Sequence, residues 1–237
     1  MKNPPLVKGT LLARPQRFLA TVKLENGQVI NAACNHSGSM RTCFVPGSRV
    51  MLSVDNNPNR RHPHTWELIE INGVWVCVNT FVPNRLVHRA VKKGLIPELS
   101  GYNQIQTEVK ISDDSRIDLM LSRLGERCYV EVKSVTMVEN GIAYFPDAVT
   151  SRGLRHLEAL TKLIEQGHRT VLFFVVQRND ATLFRPAYEI DPSFSLALKT
   201  AHERGVEILV YRADVSVQEI NLGEPLPFDL TPPESHQ

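Results

Sequence analysis

Three charged side chains interrupt the most apolar stretch of the sequence and carry its clearest chemical signal. Asp118 lies in an otherwise apolar run over 117–121, and Glu131 and Lys133 lie in a second run over 128–135. The second run alternates with a period of two, so Glu131 and Lys133 project from the same face of a predicted strand. Buried charges are rare unless they are paired or bind a metal ion. These three residues are therefore the first candidates for a functional site.

A hairpin between the two runs brings the carboxylates together. Arg123-Leu124-Gly125-Glu126 is a short glycine-containing turn of the hairpin type. With a two-residue loop, or with a four-residue loop, Asp118 falls opposite Glu131, whereas a three-residue loop with a bulge shifts the pairing by one. Directly opposed β-carbons are roughly 5 Å apart. Two carboxylates at that distance repel each other, and a hard divalent cation between them would convert the repulsion into binding energy.

An Asp followed at this spacing by Glu-x-Lys is typical of metal-dependent phosphodiester hydrolysis in restriction-endonuclease-like folds. The alternative is that Glu131 and Lys133 lie on the solvated face of an edge strand, where Glu-x-Lys is very common. The apolar character of both runs favours the metal site.

The charge of the chain is unevenly distributed. The 237 residues have 42% hydrophobic and 22% charged side chains and a net charge of +2, as in an ordinary soluble globular protein. Residues 1–80 carry nine Lys and Arg against four Asp and Glu, a net of +5, whereas 81–237 carry eighteen against twenty-one, a net of −3. A basic segment followed by one that carries carboxylates indicates a polyanionic ligand.

The cysteines and the hydropathy exclude several classes of protein. Cys34, Cys43, Cys77 and Cys128 show no zinc-ligand spacing and are interpreted as reduced thiols of a cytoplasmic protein. No apolar run approaches membrane-spanning length and the N-terminus lacks a signal peptide, so no membrane association is expected.

The chain divides near residue 80. Before it, short alternating segments are separated by turn residues, and about five strands in this length favour an all-β OB-fold barrel. We therefore predict a nucleic-acid-binding OB-fold over 1–80, an α/β domain with a mixed sheet over 81–230, and a flexible tail over 231–237.

The second domain is predicted to have the restriction-endonuclease-like order α-β-β-β-α-β. Thr150 or Ser151 can cap its second helix, which Gly167 ends. The run 170–176 is apolar on both faces and is predicted to be a central parallel strand. The remaining predicted elements are helices at 84–93 and 193–204, a strand at 104–111, the charged hairpin and a strand at 206–211.

Two arginines in the first turn of the second helix are candidates for phosphate binding. The positive charges of Arg152 and Arg155 are unfavourable near the positive end of the helix dipole. A phosphate bound at that end would neutralise this repulsion. Alternatively, Arg155 pairs with Glu158. Asp147 lies just before this helix and has three possible roles. It is an outer metal ligand, a residue that hydrogen-bonds to the metal ligands, or part of the turn that leads into the helix.

The N-terminal segment offers further candidates for binding DNA. Its basic candidates for contact with the phosphate backbone are Arg41, Arg49, Arg60, Arg61, His62 and His64. Trp66, Phe44 and Trp75 either stack on bases or belong to the core. The polar turn over 35–40 suggests no specific chemistry.

Five stretches of the sequence are informative together, namely Pro46-Gly47, Gly94-Leu95-Ile96-Pro97-Glu98-Leu99, Ser115-Arg116-Ile117-Asp118, 129–136 and 145–153. On these residues the chain resembles the sugar fermentation stimulation protein A family over roughly residues 5–229. One departure is Asn35-His36-Ser37-Gly38, where the family commonly has a Pro-Asn-Thr-Gly type of turn. The resemblance implies an N-terminal OB-fold, a PD-(D/E)xK nuclease-like domain, and DNA binding of low sequence specificity.

The resemblance also transfers a nuclease triad onto Asp118, Glu131 and Lys133. In this interpretation Asp118, Glu131 and the Val132 carbonyl hold Mg²⁺ (or Mn²⁺), and Lys133 orients or helps to deprotonate the attacking water. The alternative is a non-catalytic DNA-binding regulator of sugar (maltose) metabolism genes. Either function predicts a cytoplasmic, nucleoid-associated protein, and self-association of the chain is left open.

Overall fold

The computed structural model describes residues 1–112 and 115–233, and its N-terminal part is a small barrel. The strands of this part are β1 (Leu6–Gln16), β2 (Leu19–Leu24), β3 (Val29–Ala33), β4 (Arg49–Val54), β5 (His64–Ile71) and β6 (Val74–Cys77). They form a sheet in the order β3-β2-β1-β4-β5-β6, and a bridge between Ala33 and Thr65 joins β3 to β5 and closes the barrel. Residues 234–237 of the predicted tail lie outside the described residues.

The central strand β1 was not expected from the sequence. Only Gly9 and Leu11 are buried along its eleven residues, and its register against β2 shifts after Leu11 and again after Ala13. Gly9 allows a close approach, since a β-carbon there would lie 2.4 Å from Val22 Cγ1. Because bulges disrupt the alternation of buried and exposed positions, a period-two pattern does not reveal this strand.

The C-terminal part is a mixed sheet flanked by helices. Its elements are α1 (Val82–Lys92), a 3₁₀ turn (Pro97–Leu99), β7 (Gln104–Ser112), β8 (Ser115–Arg123), β9 (Glu126–Val135), β10 (Met137–Glu139), β11 (Ile142–Phe145), α2 (Ser151–Glu165), β12 (Arg169–Val176), β13 (Leu183–Pro186), α3 (Pro192–Glu203), β14 (Glu207–Val215) and β15 (Ile220–Pro225). The main sheet has the order β15-β14-β12-β9-β8-β7, and β10-β11-β13 form a small second sheet. The predicted core order is present, and the sequence pattern missed the short strands and β15.

Strand β12 lies at the centre of the domain, as predicted. It runs parallel to both β9 and β14, and Thr170–Val176 are all buried. One face of the sheet packs against α1, and the other packs against α2 and α3. The hydroxyl of Thr150 accepts a hydrogen bond from the Gly153 N–H at 3.0 Å and caps α2. This cap fixes where α2 begins relative to β9.

The two parts share an apolar core. Met51, Leu68 and Cys77 of the barrel belong to the same buried cluster as α1 and β9. The Cys77 N–H also donates to the Gln177 carbonyl at 3.0 Å. Within the described residues, no helix has the length and apolar character needed to cross a membrane.

The polar turn of the barrel is the second point of contact between the parts. We call residues His36–Met40 the docking turn. The Met40 N–H donates to Asp147 Oδ2 at 3.0 Å, and His36 Nε2 lies 2.9 Å from the Thr136 hydroxyl. Arg14 supports the turn by donating to the carbonyls of His36, Gly38 and Ser39. Asp147 therefore binds the docking turn by a hydrogen bond, a role that none of the sequence interpretations included.

Gly38 is predicted to be essential for this contact. A β-carbon at Gly38 would lie 2.0 Å from Asp147 Oδ1, so Gly38→Ala should lower the free energy of unfolding by about 1–3 kcal/mol through overpacking. Urea denaturation measures the change. In a double-mutant cycle the Gly38→Ala cost should largely disappear in an Asp147→Ala background, and an equal cost in both backgrounds would contradict the proposed clash.

Candidate functional site

The β8–β9 hairpin has a two-residue loop, the first of the three loop lengths that the sequence allowed. Leu124 and Gly125 both have positive φ, at 50° and 90°, which is the conformation of a type I′ turn. Arg123 pairs with Glu126, and the ladder continues as far as Leu119 and Val130. It ends one pair short of the predicted Asp118–Glu131 pair. At that point the Asp118 carboxylate accepts a hydrogen bond from the Val132 N–H at 2.7 Å. The Asp118 side chain thus takes the place of a backbone carbonyl of β8 as the partner of β9.

Asp118 is held by donors from two elements. Besides Val132, the Asn84 amide of α1 donates to Asp118 Oδ1 at 2.6 Å. Burial and the charge of Glu131 nevertheless raise the pKa of Asp118 to about 7. Asp118 therefore retains a proton at pH values where an exposed Asp is fully ionised.

Glu131, whose charge acts on Asp118, has a different environment. Its side chain is buried, and Oε1 contacts Lys133 Nζ at 2.7 Å and His156 Nδ1. Burial alone would raise the pKa of Glu131, but the charge of Lys133 and the hydrogen bond from His156 lower it overall. Its second oxygen, Oε2, is buried and has no hydrogen-bond partner. Glu131 therefore presents an unpartnered anionic oxygen.

The sequence interpretation missed His156. This residue lies on α2 and is 6% exposed, on the buried face that also holds Gly153, Leu157 and Leu160. A histidine at the i, i+3, i+4 positions of an apolar helix face was the available signal. The interpretation also missed Asn84, which the sequence marks only as a helix position.

The site opens into a groove of about 1140 Å³. The exposed side chains of Arg152 and Arg155 line this groove, and the described residues show no ion pair between Arg155 and Glu158. Cations from both parts of the chain line it, namely Arg17, Arg116, Lys133, Arg152, Arg155 and Lys162. Carboxylates also line it, namely Glu108, Asp118, Glu131, Asp147 and Glu158.

The barrel arginines predicted to bind phosphate do not line this groove. Arg49 pairs with Glu70, and Arg60 donates to Asp55 at 2.9 Å. Arg41 and Arg61 are exposed elsewhere on the barrel. These residues are not brought together with the hairpin carboxylates.

The aromatic candidates of the barrel belong mainly to the fold. Trp66 is fully buried, and its Nε1 donates to the Leu68 carbonyl at 3.0 Å. Of the two interpretations of Trp66, the structure therefore agrees with a place in the core and excludes base stacking. Phe44 packs against the barrel core, and the Arg49 guanidinium lies over the Trp75 ring at 5.9 Å.

The donors at the site suit a hard divalent cation. Glu131 Oε2 is buried without a partner, and Asp118 shares its groove with a carboxylate that repels it. No set of three or more His, Cys, Asp and Glu side chains arranged for a metal ion occurs in the part of the chain that the structure describes. Two carboxylates and a backbone carbonyl, completed by water, are the donors that Mg²⁺ typically uses. The residues therefore fit such a cation and do not fit a structural zinc site.

The raised pKa of Asp118 predicts how stability depends on pH in the metal-free protein. The unfolded side chain ionises near 3.8 and the folded one at about 7, so between these values the folded chain holds a proton that the unfolded chain has lost, and stability falls as pH rises. Asp118→Asn cannot ionise and so avoids this loss of stability. At about 1.4 kcal/mol for each pKa unit, it should stabilise the protein by about 4 kcal/mol at pH 8 and by about 2 kcal/mol at pH 5. Urea denaturation in EDTA measures both values, and a variant that is less stable than the parent at pH 8 would contradict the assignment.

Comparison with known proteins agrees with this architecture. The family described as the SfsA N-terminal OB domain matches residues 12–78, and the family described as the sugar fermentation stimulation protein RE domain matches residues 81–219. These matches confirm the predicted OB-fold and restriction-endonuclease-like fold.

Relatives match along almost the whole chain. A sugar fermentation stimulation protein homolog from Pelobacter propionicus is 52% identical over 230 residues, which are 97% of this chain and 100% of that protein. A homolog from Geobacter sulfurreducens is 51% identical and covers 94% and 96% of the two chains. The structure of Pyrococcus furiosus SfsA in complex with Ca²⁺ superposes with a TM-score of 0.89 at 26% identity, covering 97% of this chain and 98% of that chain. The chain therefore belongs to the sugar fermentation stimulation protein family.

Proposed function

We propose that this protein binds DNA with little sequence preference and hydrolyses phosphodiester bonds with the help of a divalent cation, Mg²⁺ or Mn²⁺. The observation that carries the proposal is the buried, unpartnered Oε2 of Glu131 beside Asp118 and Lys133, in a groove lined by cations. A site that bound DNA only through its charge would gain nothing from two carboxylates facing phosphates. Ca²⁺ in the Pyrococcus furiosus relative is a hard cation of the same class, which supports this choice of metal.

Each residue has a distinct part in this chemistry. Asp118, Glu131 and the Val132 carbonyl would hold the cation, which when bound supplies charge stabilisation to the transition state. Lys133 Nζ lies 2.7 Å from Glu131 Oε1, so it is positioned beside the same carboxylate to orient a water molecule or to take part in moving its proton. Asn84 holds Asp118 in place by donating to Oδ1.

The groove suits the backbone of DNA better than its bases. Arg152 lies exposed on the first turn of α2, where backbone N–H groups also favour phosphate, and Arg155 lies exposed at the start of the next turn. Arg41 and Arg61 can extend the contact along the barrel, whereas Arg49 and Arg60 are paired with carboxylates and contribute less. Phosphate contacts carry no sequence information, so we expect weak sequence preference and strong salt dependence. A DNA-bound protein of this kind would reside with the nucleoid in the cytoplasm.

Lys133→Ala should abolish cleavage and leave DNA binding nearly intact. The Lys133 side chain is 12% exposed and one of several cations, so its loss changes the groove's potential little, whereas loss of a positioned proton-transfer group typically costs about 10²–10⁴-fold in rate. Cleavage of plasmid, linear and single-stranded DNA with Mg²⁺ or Mn²⁺ measures the effect. Lys162→Ala is the matched control because it removes another groove cation, and it should still cut at saturating DNA.

The same assay separates an enzyme from a regulator. Asp118→Ala and Glu131→Ala should also abolish cleavage, and in metal-free buffer with EDTA each should tighten DNA binding because it removes a negative charge that faces phosphates. An unmodified protein that binds DNA but cuts no form of it with either metal ion would contradict the hydrolase. The non-catalytic DNA-binding regulator of sugar metabolism genes would then be the better account.

Arg155→Gln should weaken DNA binding on every sequence to a similar degree. Loss of one phosphate contact should reduce the slope of log affinity against log salt by about 1. Arg60→Gln is the matched control, because Arg60 lies outside the groove and already pairs with Asp55. Fluorescence anisotropy at several salt concentrations measures both variants. An Arg60 variant weakened as much as the Arg155 variant would show that the groove is not the principal phosphate contact.

A further inference from the structure

His156 lies at the centre of a line of polar contacts between α2 and β9. Its Nδ1 contacts Glu131 Oε1, and Lys133 Nζ lies 2.9 Å from the same nitrogen. Its Nε2 accepts a hydrogen bond from Arg152 Nε at 3.4 Å, one helical turn earlier on α2. The ring thus joins a groove arginine to a buried carboxylate.

The partners of the ring fix where its hydrogen lies. A guanidinium group can only donate, so Nε2 must accept. An ionised carboxylate can only accept, so the hydrogen of the neutral ring lies on Nδ1 and is donated to Glu131 Oε1. Lys133 donates to the same oxygen at 2.7 Å. Its approach to Nδ1 at 2.9 Å is then a contact between two donors and not a hydrogen bond. Two donors therefore hold Oε1, and Oε2 is left buried without a partner.

We propose that His156 is a positioning residue that orients Glu131 so that Oε2 is directed at the divalent cation. This inference rests on the proposed function, because it assigns the orientation of a ligand in that same site. Ligating carboxylates are commonly fixed by a hydrogen bond to the oxygen that faces away from the metal ion, and loss of such a partner typically weakens metal binding.

Packing alone does not require a histidine here. Leu157, Leu160 and Leu163 already anchor α2 to the sheet, and each is almost fully buried. An apolar side chain of similar size at position 156 would preserve these contacts. It would remove the N–H that holds Oε1 and the Nε2 acceptor of Arg152, so the polar contacts of the ring can be tested separately from its packing.

Mn²⁺ binding to the full-length protein without DNA, measured by isothermal titration calorimetry, tests the role. His156→Leu should weaken Mn²⁺ binding by about 10- to 100-fold. His156→Asn should bind Mn²⁺ nearly as well as the unmodified protein, since its amide N–H lies where Nδ1–H was. Thermal unfolding of each variant checks that it is folded. If the leucine variant does not fold, His156→Gln replaces it, because the glutamine amide lies near the Nε2 position and leaves no N–H at the Nδ1 position.

The outcomes separate this role from the function on which it rests. A leucine (or glutamine) variant that binds Mn²⁺ as tightly as the unmodified protein would overturn the positioning role alone, as would an asparagine variant equally weak as the leucine one. An unmodified protein that binds no Mn²⁺ would overturn the cation site itself, and the role of His156 with it.

Discussion

Two carboxylates, one buried and one partly buried, line the same groove and repel each other, and the surrounding structure is organised around that repulsion. Glu131 keeps its charge because Lys133 and His156 lower its pKa, while burial and the charge of Glu131 raise the pKa of Asp118 to about 7. The two environments push the pKa values of neighbouring acids apart, which is common at catalytic sites. A divalent cation would relieve the repulsion and favour the ionised form of both acids.

Holding these groups together requires elements that are distant in sequence. The hairpin brings Asp118 next to β9, α1 contributes Asn84, and α2 contributes His156. Strand β9 lies between β8 and β12 in the main sheet, so its backbone is held on both sides. The docking turn then joins the barrel to Asp147 at the rim of the same groove. DNA bound in this groove would contact both parts of the chain.

The features that the sequence predicted are the ones that local chemistry determines. The Leu124-Gly125 loop sets the register of the hairpin, Thr150 caps α2, and the apolar run of β12 requires burial on both faces. Together these patterns predicted the fold and directed attention to Asp118, Glu131 and Lys133.

What the sequence did not predict depends on contacts between distant segments. Asn84 and His156 each touch the site through one side chain from another element, and neither has a distinctive neighbourhood in sequence. Trp66 was left with two interpretations because an aromatic residue beside basic residues has the same pattern whether it faces a base or the core. Asp147 was left with three interpretations, since its partner is a backbone N–H of the other domain.

The central claim is that a divalent cation binds between Asp118 and Glu131, and its most direct test is a crystal structure of the protein with Mn²⁺. Data collected near the manganese absorption edge should show an anomalous peak about 2.0–2.6 Å from Glu131 Oε2, from an Asp118 oxygen and from the Val132 carbonyl. Lys133 and His156 should remain on Glu131 Oε1. A crystal soaked in saturating Mn²⁺ with no peak at these oxygens, or with its only peak elsewhere on the chain, would contradict the account.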